Sequence, residues 1–313
     1  MKKILVAIPV TEEQIQLFSE ASKGGEIRFI KAQDVSENDL SDISAIIGNI
    51  RPQLLKYAKK LEWLQLNSAG YDAYIKNGIL SDEVCLTNAS GAYGVAVSEH
   101  MLALTLMLQK KLHLYRDNMH AALWHDEGKV TSPMGSKVLI FGTGDIGCEY
   151  AKRMSLCGAH VYGIRRKTDE KLPYFEALYK MDDVDKIMPE ADITALALPA
   201  SDSLYHFFNK EMFSLMKHGS LFINVGRGTL VDQNALLEAL KSGQLSGAAI
   251  DVSEPEPLEA DSPLWNERNL IITPHTAGGF RLDHTLEKIV ELSVDNLRLY
   301  MLGKPLKMTV NRK

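Results

Sequence analysis

A glycine-rich run has the residue types and spacing that bind phosphate groups: Gly142-Thr143-Gly144-Asp145-Ile146-Gly147. It follows an apolar segment and precedes a helical one, which is the context that such a run needs. Glycine there permits a tight turn, a close approach of backbone to pyrophosphate, and close packing of helix on strand. The first turn of the helix adds free N–H groups and the positive end of the helix dipole. The run therefore predicts a dinucleotide site.

The segment after the next predicted strand, Arg165-Arg166-Lys167, bears on which dinucleotide binds. A site for NAD usually carries Asp or Glu about 20 residues after the glycines, where it accepts hydrogen bonds from the ribose. Arg165 stands there instead, and a guanidinium binds a 2′-phosphate that a carboxylate would repel. Arg165 and Arg166 therefore favour NADP over NAD. The alternative is that both side chains are exposed and only lie over the adenine.

Three further runs follow later predicted strands: Asn224-Val225-Gly226-Arg227-Gly228, Asp251 to Pro257, and Thr273-Pro274-His275. Ligands of open α/β sheets bind at the carboxyl ends of strands. Arg227 could bind a carboxylate or carbonyl there, and His275 could exchange a proton near neutral pH. Taken singly, each has a plainer interpretation, a surface arginine in a glycine turn and a hydrogen-bonded structural histidine. The remaining histidines lack a comparable setting.

Together these runs resemble the D-isomer-specific 2-hydroxyacid dehydrogenases, and the resemblance extends over nearly the whole chain. The order and spacing of Arg227, Glu256 and His275 fit the family. The other runs that carry the resemblance are Asn67-Ser68-Ala69-Gly70-Tyr71-Asp72, Thr87-Asn88-Ala89-Ser90-Gly91, Val97-Ser98-Glu99-His100 and Ala248-Ala249-Ile250-Asp251-Val252.

The resemblance implies roles for these residues. Arg227 would bind and polarise a 2-keto acid, and His275 would be the general acid for reduction and the base for oxidation. Glu256 would pair with His275 and favour the protonated form of its imidazole. The backbone around Ser68, Ala69 and Gly70 would take the substrate carboxylate.

At the cofactor, the resemblance implies contacts beyond the glycine-rich run and the arginines. Asp251 would contact the nicotinamide carboxamide. The other residues expected at the cofactor are Pro199, Val225, Gly226 and Gly278. NADP is the expected cofactor, with NAD as the alternative, and no metal site is expected.

The elements that must position these residues form two alternating series. Apolar runs in the first ninety residues predict strands, with helical or turn-like segments at Thr11–Ser22, Pro52–Lys60 and Asp72–Ile75. These strands are Ile4–Ile8, Ile27–Ile30, Ala45–Ile47, Leu61–Leu66 and Val84–Thr87. A second series predicts six strands, at Val138–Phe141, His160–Ile164, Ile193–Leu198, Leu221–Val225, Ala248–Val252 and Leu270–Thr273. Such alternation is typical of parallel sheets covered by helices.

Two long helices are expected around the second series, over Ser98–Trp124 and Arg281–Leu302. The second of these can pack back on the first unit, which would make the nucleotide unit an insertion. The fold class is therefore α/β with two doubly wound parallel sheets, a Rossmann-type domain inserted into a flavodoxin-like one. The expected boundaries are 1–97 plus 281–313 for the substrate domain and 98–280 for the NAD(P)-binding domain.

Length and composition restrict the classes of protein to which the chain can belong. The chain has 313 residues, 45% of them hydrophobic and 24% charged, which is ordinary for a globular protein of two domains. The net charge of −5 disfavours nucleic-acid and anionic-membrane binders, which are normally basic. No apolar run reaches the ~18 residues that span a bilayer, so a cytoplasmic protein is expected. Its three cysteines match no zinc pattern and predict buried or partly buried reduced thiols.

We therefore expect an NADP-preferring reductase of small 2-keto acids that acts as a homodimer, as members of the family usually do. One alternative is 3-phosphoglycerate oxidation with NAD, for which Arg51 or Lys76 could meet the phosphate. Another is a nicotinamide-sensing interaction protein similar to the related transcriptional corepressors. The complete Arg227–Glu256–His275 set argues for catalysis.

Overall fold

The chain folds into two units, each built around a parallel sheet. They are described from a computed structural model that covers residues 1–76, 78–168 and 171–312. The first unit consists of Met1–Tyr93 and Gly279–Lys313, and the second of Gly94–Gly278. The second unit is thus continuous in sequence and interrupts the first. The boundaries expected from the sequence, after residues 97 and 280, lie a few residues beyond these.

The sheet of the first unit contains all five strands that the apolar runs predict. They are β1 (Lys3–Val6), β2 (Glu26–Phe29), β3 (Ala45–Ile47), β4 (Trp63–Gln65) and β5 (Cys85–Thr87). The strands are parallel and lie in the order β2-β1-β3-β4-β5. This is the flavodoxin-like order. Ile4, Ile46 and Leu64 are fully buried, as the apolar character of these runs requires.

Two helices of the first unit, α1 (Glu12–Ala21) and α8 (Asp283–Met301), pack against each other although they come from opposite ends of the chain. The α1 helix begins with a capping box, since Thr11 Oγ1 accepts from Gln14 N at 3.2 Å and Gln14 Oε1 accepts from Thr11 N at 3.0 Å. The α8 helix is tied to the sheet by the buried Asn296, which donates to Gln65 Oε1 at 2.8 Å.

The sheet of the second unit has seven strands, so the prediction of six was wrong. They are β6 (Lys137–Phe141), β7 (His160–Ile164), β8 (Ala177–Tyr179), β9 (Ile193–Leu196), β10 (Ser220–Asn224), β11 (Leu245–Ile250) and β12 (Leu270–Ile272). All pairs are parallel, in the order β12-β11-β10-β9-β6-β7-β8. This is the doubly wound dinucleotide order with one added strand. The unpredicted β8 is a three-residue strand at the edge of the sheet, and its side chains are only half-buried.

The prediction of a single helix over Ser98–Trp124 was also wrong, because the structure has two helices there. Lys111 adopts a left-handed conformation, with φ of 57°, and turns the chain between them. The second helix ends at His120, so Trp124 lies outside it. The helices of this unit are α2 (Gly94–Gln109), α3 (Leu112–His120), α4 (Asp145–Leu156), α5 (Val184–Ile187), α6 (Lys210–Leu215) and α7 (Gln233–Lys241).

Short 3₁₀ helices complete the secondary structure. One of them, Pro52–Tyr57, accounts for the helical segment predicted near Pro52, and another, Gly228–Leu230, directly follows Arg227. The others are Glu37–Asp39, Met181–Asp183, Met188–Glu190, Asp202–Leu204 and Pro263–Asn266.

The core of the second unit is rich in aromatic rings, and Phe208 contacts Phe141, Phe213 and Phe222 with centroids 5.0–5.8 Å apart. The three cysteines are unpaired, but Cys157 is exposed, which corrects the expectation of buried or partly buried thiols. Cys157 occupies the C-cap of α4, where the chain leaves the helix at the surface. Among the described helices, none combines the length and the apolar character needed to cross a membrane.

Candidate active site

The glycine-rich run joins β6 to α4, as predicted, and packing explains two of its glycines. A Cβ added at Gly142, where φ is 93°, would lie 2.7 Å from Ala197 O, at the end of the neighbouring strand β9. A Cβ added at Gly147 would lie 1.9 Å from Gly142 O. Both positions therefore require glycine, since the turn and the helix pack too closely for a side chain.

Gly144 differs, because among the described residues no atom outside its chain neighbours lies within 4 Å of an added Cβ. It is the N-cap of α4 and is next to the first helical N–H groups, which have no acceptor inside the helix. A glycine that packing does not require borders open space where a pyrophosphate could approach the backbone and the helix dipole. This turn, Thr143 to Gly147, fits a dinucleotide.

The two arginines lie at the carboxyl end of β7, beside this turn. Arg165 N donates to Tyr179 O at 3.0 Å and its side chain is half-buried, whereas Arg166 is exposed. Burial raises the pKa of the Cys148 thiol in the first turn of α4, and the positive charge of Arg165 acts in the opposite direction. Arg165 therefore places a positive charge near the first turn of α4.

Arg227 lies in a turn after β10 that close packing fixes. Asn224 holds this turn with both ends of its buried amide, since Gly226 N donates to Asn224 Oδ1 and Asn224 Nδ2 donates to Arg227 O, each at 3.0 Å. A Cβ added at Gly228 would lie 2.0 Å from Ser253 O, and one at Gly226 would lie 2.6 Å from Leu198 O. The glycines on either side of Arg227 thus let this turn contact the loops after β11 and β9.

His275 and Glu256 form the pair that the resemblance implies. His275 Nδ1 lies 2.9 Å from Glu256 Oε2, and the other oxygen of Glu256 accepts from Ser253 N at 3.2 Å. Both side chains are about half-exposed. With Nδ1 facing a carboxylate, Nε2 is the ring atom left to exchange a proton with a substrate.

Asp251 organises the turn that carries His275. The Asp251 carboxylate is buried and accepts from Thr276 N at 2.8 Å, Ala277 N at 3.0 Å and Thr273 Oγ1 at 2.6 Å. His275 N donates to Asp251 O at 2.8 Å. These bonds hold His275 in a left-handed conformation with φ of 51°. The expected contact of Asp251 with the carboxamide of the cofactor remains a prediction.

The expectation that the other histidines lack a setting comparable to that of His275 was wrong, since three of them also lie beside a carboxylate. His206 Nε2 lies 2.9 Å from Glu254 Oε2, His160 is hydrogen-bonded to Glu176, and His100 Nε2 lies 3.8 Å from Asp251 Oδ1. The partners are 16 to 151 residues apart in the chain, so local sequence gave no signal of them. The one detectable feature was Glu254, two residues before Glu256 in the same acidic, proline-rich loop.

The remaining expected cofactor residues flank these turns. Val225 is buried at the end of β10, where Val225 N donates to Leu196 O at 3.1 Å. Pro199 follows β9, and Gly278 is the last residue of the second unit. Among the described residues, no group of three or more His, Cys, Asp or Glu could hold a metal ion.

In the first unit, Ser68, Ala69 and Gly70 follow β4 in a loop held by side chains. Asn49 Nδ2 donates to Ser68 Oγ at 2.9 Å, Asn88 Nδ2 donates to Ala69 O at 2.7 Å, and Ser68 Oγ donates to Gly70 O at 2.6 Å. Among the described residues, none accepts a backbone hydrogen bond from the N–H groups of residues 68–70. Their role as a carboxylate site remains a prediction.

Tyr93 also supports this loop, because its hydroxyl donates to Asn67 O. Burial raises the pKa of Tyr93 to about 12, so the hydroxyl keeps its proton at neutral pH and remains a donor.

Comparison with known proteins agrees with this geometry. Residues 102–277, more than half of the chain and all within the second unit, match the family described as D-isomer specific 2-hydroxyacid dehydrogenase, NAD binding domain. The chain is 29% identical over 316 residues to glyoxylate/hydroxypyruvate reductase B of Escherichia coli K12, covering 96% of this chain and 95% of that protein.

Two solved structures agree over almost the full length. A D-isomer specific 2-hydroxyacid dehydrogenase family protein from Aeromonas salmonicida is 30% identical, with a TM-score of 0.88, over 100% of this chain and 99% of that chain. An NADPH-dependent glyoxylate/hydroxypyruvate reductase from Sinorhizobium meliloti, in complex with NADP and sulfate, has a TM-score of 0.82 over the same shares. At 24% identity, that second likeness shows the fold alone. The chain therefore belongs to the D-isomer-specific 2-hydroxyacid dehydrogenase family and is an NAD(P)-dependent oxidoreductase.

Proposed function

We propose that this protein reduces small 2-keto acids to D-2-hydroxy acids with NADPH as the preferred reductant. The observation that carries the proposal is the grouping of Arg227, Glu256 and His275 in loops at the carboxyl ends of the adjacent strands β10, β11 and β12. The name of the Escherichia coli relative, a glyoxylate/hydroxypyruvate reductase, supports this substrate class.

The cofactor would be held by the turn and the charges described above. The backbone of Gly142 to Gly147 would take the pyrophosphate, and Arg165 and Arg166 would take the 2′-phosphate. The other proposed contacts are Pro199, Val225, Gly226, Asp251 and Gly278. When bound, NADPH supplies the hydride that reduces the carbonyl carbon, and negative charge then develops on the carbonyl oxygen.

The residues of this chain meet that charge. Arg227 stabilises the developing oxyanion with a fixed positive charge, and preorganised groups of this kind are often the largest catalytic contribution. His275 transfers the proton on Nε2 to the oxygen and becomes neutral. Glu256 fixes the ring orientation through Nδ1 and stabilises the imidazolium before the transfer. The backbone at Ser68, Ala69 and Gly70 remains the proposed site for the substrate carboxylate.

Initial rates test the proposal. Purified protein is assayed with NADPH and with NADH against glyoxylate, hydroxypyruvate, pyruvate and ketoisocaproate. We expect turnover of at least one keto acid and a higher kcat/KM with NADPH. Faster turnover with NADH would contradict the role of Arg165, and no turnover of any 2-keto acid would contradict the substrate class.

We also propose a homodimer, formed through the second unit. Six exposed apolar side chains lie on α3 and the segment after it, and Trp124 among them is fully exposed. Exposed apolar side chains concentrated in one segment of a chain are typical of an interaction site, so we assign this segment to contact with a second copy. The other five are Leu112, Met119, Leu123, Val130 and Met134.

A further inference from the structure

We propose that His206 and Glu254 form a second histidine–glutamate pair that positions the loop of Glu256 against the turn of Arg227. This inference rests on the proposed function, because it concerns the geometry of the same catalytic groups. Neither residue belongs to the expected site, and the inferred role is positioning, with no contact to substrate.

One end of the pair is attached to the turn of Arg227. His206 N donates to Thr229 O at 2.8 Å, inside the 3₁₀ helix that follows Arg227, and Phe208 N donates to Leu230 O at 2.9 Å. His206 has φ of 48°, a left-handed conformation that a non-glycine residue keeps only where its surroundings hold it. The ring of Tyr205 stacks on the imidazole, with centroids 4.0 Å apart and planes 15° apart. These contacts fix the imidazole relative to the turn.

The other end is attached to the loop of Glu256. Glu254 Oε2 lies 2.9 Å from His206 Nε2, and Glu254 O accepts from the side chain of Gln233 at the start of α7. Ser253 N donates to Glu256 Oε1. Residues 253–256 therefore direct one carboxylate to His206 and the other to His275.

This side of the loop borders open space. A cavity of about 560 Å³ borders the pair, and its lining includes Tyr205, His206, Gln233, Glu254, Pro255 and Leu258. A loop beside open space is placed by its hydrogen bonds more than by a hydrophobic core. Loss of the pair would therefore let Glu256 shift, and with it the orientation of His275.

The test removes each half of the pair in the intact protein. We expect His206→Gly and Glu254→Gln to lower kcat for the keto acid about tenfold, the scale of a small misplacement of catalytic groups. The KM for NADPH should stay within about twofold, because the contacts of the glycine-rich turn are unchanged. His206→Gln keeps a donor that can reach the carboxylate and should retain most of the activity. Imidazole added to His206→Gly should enter the cavity and restore part of the rate.

A second readout does not depend on turnover. The downfield Nδ1 proton resonance of His275, assigned with a His275→Gln variant, reports its hydrogen bond to Glu256. It should shift or broaden in Glu254→Gln. The matched control is His160→Gly, which removes another imidazole that is hydrogen-bonded to a glutamate, at the distant start of β7. It should leave both the rate and the resonance unchanged.

The outcomes separate this inference from the proposed function. If the wild type reduces no keto acid, the proposed function is wrong, and the resonance still tests the pair. If the wild type is active, wild-type rates and an unchanged His275 resonance in Glu254→Gln would overturn the inference. Equal loss in His206→Gly and His206→Gln, with a lowered melting temperature and no effect of imidazole, would show a merely structural role and would also overturn it.

Discussion

His275 is held from two directions, and these contacts decide which of its atoms can act. Its backbone N–H and the turn around it are fixed by Asp251, and its Nδ1 faces Glu256 at 2.9 Å. Nε2 is then the atom available to a substrate oxygen. At the scale of single residues, the proposed chemistry therefore depends on two carboxylates with different tasks. One is buried and shapes the backbone, and the other is half-exposed and orients the ring.

For His275→Gln we expect kcat to fall by about 10²–10⁴-fold, the usual contribution of a placed general acid. The KM for NADPH should change little, since His275 is not among the proposed cofactor contacts. Steady-state kinetics measure both constants. His218→Gln is the matched control, because His218 is an exposed histidine at the opposite edge of the sheet, just before β10. Unchanged turnover in His275→Gln would remove this residue from the mechanism.

For Arg227→Ala we expect kcat/KM for the keto acid to fall about 10²–10³-fold, since a fixed positive charge no longer meets the developing oxyanion. The KM of the keto acid should rise as well. Arg227→Lys keeps the charge without the planar fork and should recover only part of the loss. Keto acid affinity at the wild-type level in Arg227→Ala would contradict its binding role.

At the scale of elements, two turns at the carboxyl ends of strands of the second sheet are built from close backbone contacts. The glycines that flank Arg227 permit the contacts with Ser253 and Leu198, and Gly142 and Gly147 permit the strand–helix turn of β6 and α4. Gly144 has a different reason to be glycine, because none of the described residues beyond its chain neighbours occupies the space beside it. Within this run, packing requires glycine at Gly142 and Gly147, whereas the proposed ligand accounts for glycine at Gly144.

We predict that Gly147→Ala affects mainly stability and that Gly144→Ala affects mainly NADPH binding. Gly147→Ala should lower the free energy of unfolding by about 1–3 kcal/mol, since the methyl group would overlap Gly142 O. Gly144→Ala should leave stability within about 0.5 kcal/mol but raise the KM for NADPH, because the methyl group would enter the proposed pyrophosphate space. Urea unfolding and initial rates measure the two effects. Unaltered NADPH affinity in Gly144→Ala would contradict the proposed pyrophosphate site at this turn.

At the scale of the whole molecule, the acidic chain and its anionic ligands are compatible because binding depends on local charge. The net charge is −5, whereas Arg165, Arg166 and Arg227 all belong to loops at the carboxyl edge of the second sheet. The N-terminus of α4 adds to the positive field at this edge. Overall charge still favours solubility and disfavours nucleic acid.

The exposed apolar side chains on α3 and in the segment after it give a prediction at the same scale. Light scattering after size exclusion should find a mass twice that of the 34.8 kDa chain. The double variant Met119→Ser, Trp124→Ser should shift the mass towards the monomer, because it removes apolar surface that we assign to the interface. Leu156→Ser, an exposed apolar residue at the end of α4, is the matched control. A monomeric wild type would overturn the dimer.

The sequence by itself determined the strands of the first sheet, six strands of the second, and the family to which the chain belongs. Burial repeats locally along strands and helices, and the glycine-rich turn and the capping box are local too. Only the tertiary structure decided the partners. His206 is hydrogen-bonded to Glu254, and the Asp251 carboxylate accepts hydrogen bonds from the turn of His275. The predicted long helix is interrupted at Lys111, and the short edge strand β8 is added to the second sheet. The two carboxylate contacts join residues that are far apart in the chain and meet only where loops come together at the sheet edge. The helix break depends on one backbone angle, at Lys111, and β8 depends on pairing with β7.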